Sequence, residues 1–63
     1  MDKPKVKLVG TDGNVFALMG RCQRGLRDAG MNDKAKEMCD RITKTAESYE
    51  QALVIMCEYV DAY

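Results

Sequence analysis

Hydrophobic residues alternate with charged ones in KVKLV at 5–9 and then recur every three or four positions from Val15 onward. Alternation is the period of a half-buried strand, and the longer spacing is that of one helix face. The pattern predicts an α+β, mostly helical fold in one small domain. Its elements are one short N-terminal strand at about 5–9 followed by three amphipathic helices at about 14–29, 33–45 and 48–62. The apolar stripe of the first helix comprises Val15, Leu18, Met19, Cys22, Leu26 and Ala29.

The segment between the strand and the first helix is rich in turn-forming residues. Asn14 is placed to cap the helix, because its side-chain oxygen can accept a hydrogen bond from a free backbone N–H. An alternative is a β-hairpin with residues 14–19 as its second strand, since Asp-Gly between apolar runs is typical of a type I′ turn. The unbroken helical period favours strand–turn–helix. The structural turn and cap positions expected here are Gly10, Asp12, Gly13 and Asn14.

The later helix ends also have recognisable residues. Gly30 is expected in the left-handed conformation that ends the first helix. Asn32 or Asp33 is expected to cap the second helix. Ser48, followed three residues later by Gln51, predicts a capping box at the start of the third helix.

The strand and the third helix both suggest contact with another chain. The helix carries apolar residues on two adjoining faces, so little of its circumference is left for water. The strand has no mate among the predicted elements, and an exposed edge favours pairing with a second copy. A homodimer is therefore expected, and burial of Tyr59 in the core of a monomer would contradict it. The expected protein interface comprises Val6, Leu8, Ile55, Tyr59 and Tyr63.

Charge is balanced overall, with ten basic and ten acidic residues, but the N-terminal half is basic and the C-terminal end acidic. The basic half offers a possible contact for nucleic acid or another anion, against the simpler interpretation of a solvated helix face. Free N–H groups at the start of the first helix are a weaker candidate for an anion. The basic residues concerned are Lys5, Lys7, Arg21, Arg24 and Arg27.

Neither a catalytic site, a metal site nor a cofactor is expected. The chain has no histidine, no C-x-x-C pair and no complete phosphate-binding glycine motif. Its three cysteines lie on apolar helix faces and are expected to be reduced core residues. No apolar run is long enough to cross a membrane, so a cytoplasmic location is expected.

At KVKLVGTDGNVFALMGR and LRDAG the chain resembles a family of small uncharacterised proteins from bacteria, phages and other mobile elements. The pattern is K-V-x-L-x-G-x-D-G-N-x-F-x-L-x-G, then L-R-x-A-G. The chain departs from it at residues 46–49, where AESY replaces Ser-Gly-Asp-Tyr and the glycine is lost. The resemblance implies a setting in which small proteins bind host or phage proteins. Gly20, inside a helix, also suggests a close approach of the strand.

These observations favour a non-catalytic protein-interaction module, homodimeric and of unknown pathway. One alternative is a nucleic-acid-associated regulator that uses the basic N-terminal half. Another is a phage-derived inhibitor of a host protein, with a host or phage protein as its partner.

Overall fold

The computed structural model describes residues 3–8, 10 and 13–63, and it confirms the mostly helical α+β fold. The helices are α1 (Val15–Asp28), α2 (Asn32–Thr45) and α3 (Tyr49–Tyr59). Two short strands, β1 (Lys5–Val6) and β2 (Asp61–Ala62), form a parallel two-stranded sheet. The chain thus starts and finishes at one sheet, with three helices between its strands.

The start of α1 confirms strand–turn–helix over the hairpin. Asn14 has extended backbone angles, and its Oδ1 accepts a hydrogen bond from the N–H of Phe16 at 2.8 Å. Gly10, before it, has φ of +81°, a conformation that favours glycine. Gly13 lies exposed just before the cap. The turn position predicted at Asp12 lies outside the described residues.

The end of α1 is a Schellman motif around Gly30, which has φ of +76°. The N–H of Met31 donates to the carbonyl of Leu26 at 2.7 Å, and that of Gly30 donates to the carbonyl of Arg27 at 2.9 Å. Met31 then occupies the N-cap position of α2, without a side-chain cap. The prediction that Asn32 or Asp33 caps α2 was therefore wrong, because the tight turn starts the helix one residue earlier.

Ser48 caps α3 as predicted, but the capping box is altered. Its Oγ accepts a hydrogen bond from the N–H of Gln51 at 3.2 Å. The Gln51 side chain, however, accepts from the N–H of Glu47 at 2.7 Å rather than from that of Ser48. The hydrogen bond to the Gln51 side chain thus comes from one residue earlier than in a standard capping box. Gln51 therefore orders residue 47, which precedes the cap, as well as the start of α3.

The prediction of a helix to residue 62 and of a strand without a mate was wrong. Helix α3 ends at Tyr59, Val60 is extended, and residues 61–62 pair with β1 in parallel. The N–H of Asp61 donates to the carbonyl of Pro4 at 2.9 Å, and that of Tyr63 donates to the carbonyl of Val6 at 3.0 Å. Residues 61–63 are extended because their backbone groups form hydrogen bonds with β1 and the residues beside it. No other described segment pairs with β1.

All three helices and β1 contribute to one core. The predicted stripe of α1 is inside at Leu18, Cys22 and Leu26, while Ala29 at its end is exposed. Among the described residues, those buried are Val6, Leu18, Cys22, Leu26, Ala35, Met38, Ile42, Ala52, Ile55, Met56, Tyr59 and Val60.

Strand β1 lies directly against α1 at Gly25. A Cβ atom at Gly25 would lie 2.6 Å from Cγ2 of Val6, closer than real Cβ contacts come. The close approach that the sequence suggested at Gly20 was therefore placed wrongly, since a Cβ there would meet nothing within 4 Å. Gly25 allows the strand to lie on the helix, and this contact positions the charged residues beside it.

Candidate interaction surfaces

The interface expected from the sequence lies mostly inside the protein. Val6, Ile55 and Tyr59 are only 6%, 7% and 8% exposed, so they belong to the core. Leu8 is half-buried, with its N–H donating to the carbonyl of Tyr63, and Tyr63 is exposed. These positions do not form one accessible surface, so a homodimer through the strand edge and Tyr59, as expected from the sequence, has no support in the structure.

Tyr59 is instead held between α2 and α3 by polar contacts. Its hydroxyl donates to Oε2 of Glu37 and accepts from Nη1 of Arg41 at 3.2 Å. Arg41 also donates to both carboxylate oxygens of Glu58, at 3.0 and 3.2 Å. These hydrogen bonds from Arg41 lower the pKa of Glu58, whereas burial raises the pKa of Tyr59. The network joins α2 to α3. It occupies the hydroxyl of Tyr59, so this buried residue is not available for contact with another chain.

An apolar groove, here called the Phe16 groove, lies where the start of α1 meets the end of α2 and the start of α3. It has a volume of about 780 Å³. Phe16 and Tyr49 are 68% and 45% exposed at its edge, and among the described residues that line it only Glu47 is charged. The apolar residues that line it are Val15, Phe16, Met19, Ile42, Ala46 and Tyr49.

Sequence reasoning missed this groove, although one signal was present. Phe16 falls outside the apolar stripe of α1, so a large aromatic side chain was bound to lie away from the core face. Tyr49 was counted in the apolar arc of α3 because its spacing fits that face. Its place at the first helical residue, however, leaves it beyond the reach of the core.

A second groove, here called the basic groove, runs between β1 and α1 and has a volume of about 460 Å³. Among the described residues that line it, Asp28 is the single acid, and Val6 and Gly25 carry no charge. The cations lining it are Lys5, Lys7, Arg21 and Arg24, which are four of the five basic residues singled out in the sequence.

The fifth, Arg27, lies elsewhere. It lines a different part of the surface, with Asp33, Lys36 and Asp40 of α2. Residues spaced by three drift round a helix of 3.6 residues per turn, so Arg27 lies roughly 120° from Arg21. The five basic residues singled out in the sequence therefore do not form one surface: Arg21 and Arg24 lie with Lys5 and Lys7 in the basic groove, and Arg27 does not.

The cysteines are less uniform than expected. Cys22 is fully buried, Cys39 is half-buried and Cys57 is exposed, so the core assignment is wrong for Cys57. Burial, with smaller contributions from Cys57 and Cys39, raises the pKa of Cys22 to about 11. In the described part of the chain no three His, Cys, Asp or Glu side chains are grouped to hold a metal ion.

No helix in the described ranges has both the length and the apolarity to cross a membrane. Comparison of the chain with protein-family models, curated proteins and solved structures finds no match. The family resemblance noted in the sequence stays a prediction. The two grooves are the features from which a function can be argued.

Proposed function

We propose that the protein is a non-catalytic interaction module of the cytoplasm that associates with a second copy of itself through the Phe16 groove. The observation that supports this is the exposure of Phe16 and Tyr49 beside an apolar groove whose described lining contains one charged residue. The proposed homodimer is the one expected from the sequence, but its contact lies at the start of α1 and not at the strand and Tyr59.

Burial of these rings supplies a driving force for association. Covering a Phe side chain contributes about 1.5–3 kcal/mol. A symmetric contact buries Phe16 and Tyr49 twice, because both copies use the same residues. Association itself costs about 4–15 kcal/mol, so at most several kcal/mol of net binding free energy remain. The expected dimer is therefore weak, with a dissociation constant on the order of 100 µM, which corresponds to about 5 kcal/mol.

The shape of the surface favours a second copy as the occupant. An isologous contact requires one patch that contains both a projection and a recess. The Phe16 groove has both, since Phe16 is 68% exposed next to a recess lined by Met19, Ile42 and Ala46. Insertion of each Phe16 into the partner's recess would cover both rings, and a lone Glu47 on each side would remain at the margin.

The size of the chain is consistent with this arrangement. A standard interface buries about 800 Å² on each partner, which is about a fifth of the 4335 Å² surface of this protein. Domains of this length bury a small core and are often stabilised by a partner subunit. A dimer through the Phe16 groove would add apolar burial at an end of the molecule where large side chains are exposed.

The test is molar mass by sedimentation equilibrium at protein concentrations from about 5 to 500 µM. Wild-type protein should shift from monomer to dimer over this range. Phe16→Ser should stay monomeric or weaken the dimer about tenfold or more, because it removes the central aromatic residue.

Val54→Ser is the matched control. Val54 is 63% exposed, nearly as much as Phe16, but does not line the Phe16 groove. This variant should dimerise like the wild type. A monomeric wild type at the highest concentration, or equal weakening by both substitutions, would contradict self-association through this groove.

A further inference from the structure

We propose that the basic groove binds the phosphate backbone of duplex nucleic acid, independently of sequence. This function is separate from self-association, since the basic groove and the Phe16 groove share no lining residue. Three observations support the proposal: the charge in the groove, the way the fold assembles it, and the lack of any apolar side chain other than Val6 among the described residues that line it.

The cations of the groove are not neutralised within the described chain. Lys5, Lys7 and Arg21 form no ion pair among the described residues. Arg24 faces Asp28 with Nε 3.9 Å from Oδ2, and the two side chains are 86% and 75% exposed. A contact of this length between exposed groups contributes little, so the groove presents four cations that are available to an outside anion.

The fold, rather than local sequence, brings these cations together. Val6 is buried against α1 at Gly25, and Lys5 and Lys7 precede and follow it in the chain. Arg21 and Arg24 precede Gly25 on the helix by four and one residues. The helix–strand contact therefore holds two lysines and two arginines along the walls of one groove.

The chemistry of the lining favours nucleic acid over other anionic partners. None of the large apolar side chains exposed in the described chain, namely Phe16, Tyr49, Val54 and Tyr63, lines this groove. Binding must then depend on charge alone, which suits a partner of high and regular charge density. Duplex DNA carries one phosphate charge per ~1.7 Å of axis, so it supplies that density.

The same lining favours a duplex over a single strand. Proteins that hold single strands without sequence preference stack bases on aromatic side chains. None of the described residues that line the basic groove is aromatic. They also include no Asn or Gln, the side chains that pair with adenine, and we assign the lysines and arginines to phosphates, so no sequence preference is expected.

The charge count sets the expected salt dependence. Four phosphate contacts predict a slope of log K against log salt of about −3 to −4. Between about 50 and 200 mM salt the affinity should fall on the order of 100-fold. Replacing one contacting cation should make the slope less steep by about one unit.

The experiment is fluorescence anisotropy with a labelled duplex DNA of about 20 base pairs, titrated with protein over a range of salt. Arg21→Gln and Lys7→Gln should each lower the affinity about tenfold at low salt and reduce the slope by about one. Because the two side chains are on different elements and exposed, circular dichroism should show both variants folded.

Arg27→Gln is the control, since it removes the same charge from the same helix outside the groove. It should leave the slope unchanged. A second duplex of unrelated sequence should bind with equal affinity, and a single strand of the same length should bind more weakly.

Several results would overturn the proposal. These are no binding at the lowest salt, an effect of Arg27→Gln as large as that of Arg21→Gln, or tighter binding to the single strand. Equal binding to vesicles rich in anionic lipid, with the same sensitivity to Arg21→Gln, would assign the groove to a membrane surface instead.

Discussion

At the scale of single residues, two glycines of α1 have opposite roles although both lie inside the helix. Gly25 is in contact with Val6 of β1, and a Cβ there would lie 2.6 Å from a Val6 methyl carbon. Gly20 is exposed, and a Cβ there would meet nothing within 4 Å. Gly25 is thus required by packing, while Gly20 only carries the entropic cost of glycine in a helix.

The two glycines make a matched pair of variants. Gly20→Ala should raise the free energy of unfolding by about 0.5–1 kcal/mol, because alanine loses less backbone entropy. The free energy of unfolding of Gly25→Ala should be about 1–3 kcal/mol lower than that of Gly20→Ala, because the added methyl group overpacks against Val6. Urea unfolding followed by circular dichroism measures both, and equal gains for the two variants would contradict a close contact at Gly25.

Helical spacing separates the two glycines better than the sequence analysis used it. At about 100° per residue, Gly25 lies about 20° from Leu18, at the edge of the apolar stripe of α1, whereas Gly20 lies on the opposite face. What spacing could not show is where β1 crosses the helix, which is set by the whole core. The same limit explains the interface prediction, because spacing shows that Tyr59 is on an apolar face but not that α2 covers it.

At the scale of elements, the end of α3 is a place where apolar spacing alone does not predict the last helical residue. Apolar spacing continues to residue 63, yet the helix ends at Tyr59. Two local signals oppose a longer helix. Acidic Glu58 and Asp61 are unfavourable at the negative end of the helix dipole, and Val60 is β-branched. The last turn of α3 has no basic residue of its own. Lys3, which lies 54 residues before Cys57 in the sequence, supplies a positive charge there, because its ammonium group donates to the carbonyl of Cys57 at 2.8 Å.

The pairing of β2 with β1 can be tested with two prolines. Asp61→Pro removes the N–H that donates to Pro4, and it should lower the free energy of unfolding by about 1 kcal/mol. Ala62→Pro is the control. N–H groups alternate in direction along a strand, and those of Asp61 and Tyr63 point to β1, so that of Ala62 points away.

Hydrogen exchange provides the local measurement. The N–H of Leu8 donates to the carbonyl of Tyr63 at 2.6 Å, so its protection reports on the sheet. Asp61→Pro should speed exchange at Leu8 more than Ala62→Pro does. Equal exchange rates in the two variants would mean that β2 does not hold β1 in solution.

At the scale of the whole molecule, α1 separates the two proposed surfaces. Its first turns line the Phe16 groove, and its second half lines the basic groove. Helical periodicity predicted α1 and its buried face well. The surfaces were less predictable, since each groove is made from segments far apart in the sequence, and only the basic cluster was visible as a run of residue types.

The small core also makes the stability of the whole molecule sensitive to a single thiol. Cys22 is fully buried among the three helices, and burial is the main reason that its pKa is raised from 9.0 to about 11. The unfolded chain loses the thiol proton at lower pH than the folded chain does. The stability contributed by the protonated form is therefore complete below pH 9 and is lost progressively as the pH rises toward 11.

The expected loss is measurable. Between about pH 8 and 10 the free energy of unfolding should fall by roughly 1 kcal/mol through Cys22 alone. In urea unfolding, Cys22→Ala should not show this loss of stability with rising pH. Cys57→Ala should keep most of it, because burial raises the pKa of Cys22 more than the neighbouring thiols do. Measurements should stop near pH 10, because burial also raises the pKa of Tyr59 above its ordinary value of 10.0, so ionisation of this tyrosine in the unfolded chain adds a separate loss of stability from there upward. If wild type and Cys22→Ala lose stability in parallel over this range, the Cys22 thiol is not held protonated by the core, and the packing of the three helices around it must be looser than the structure shows.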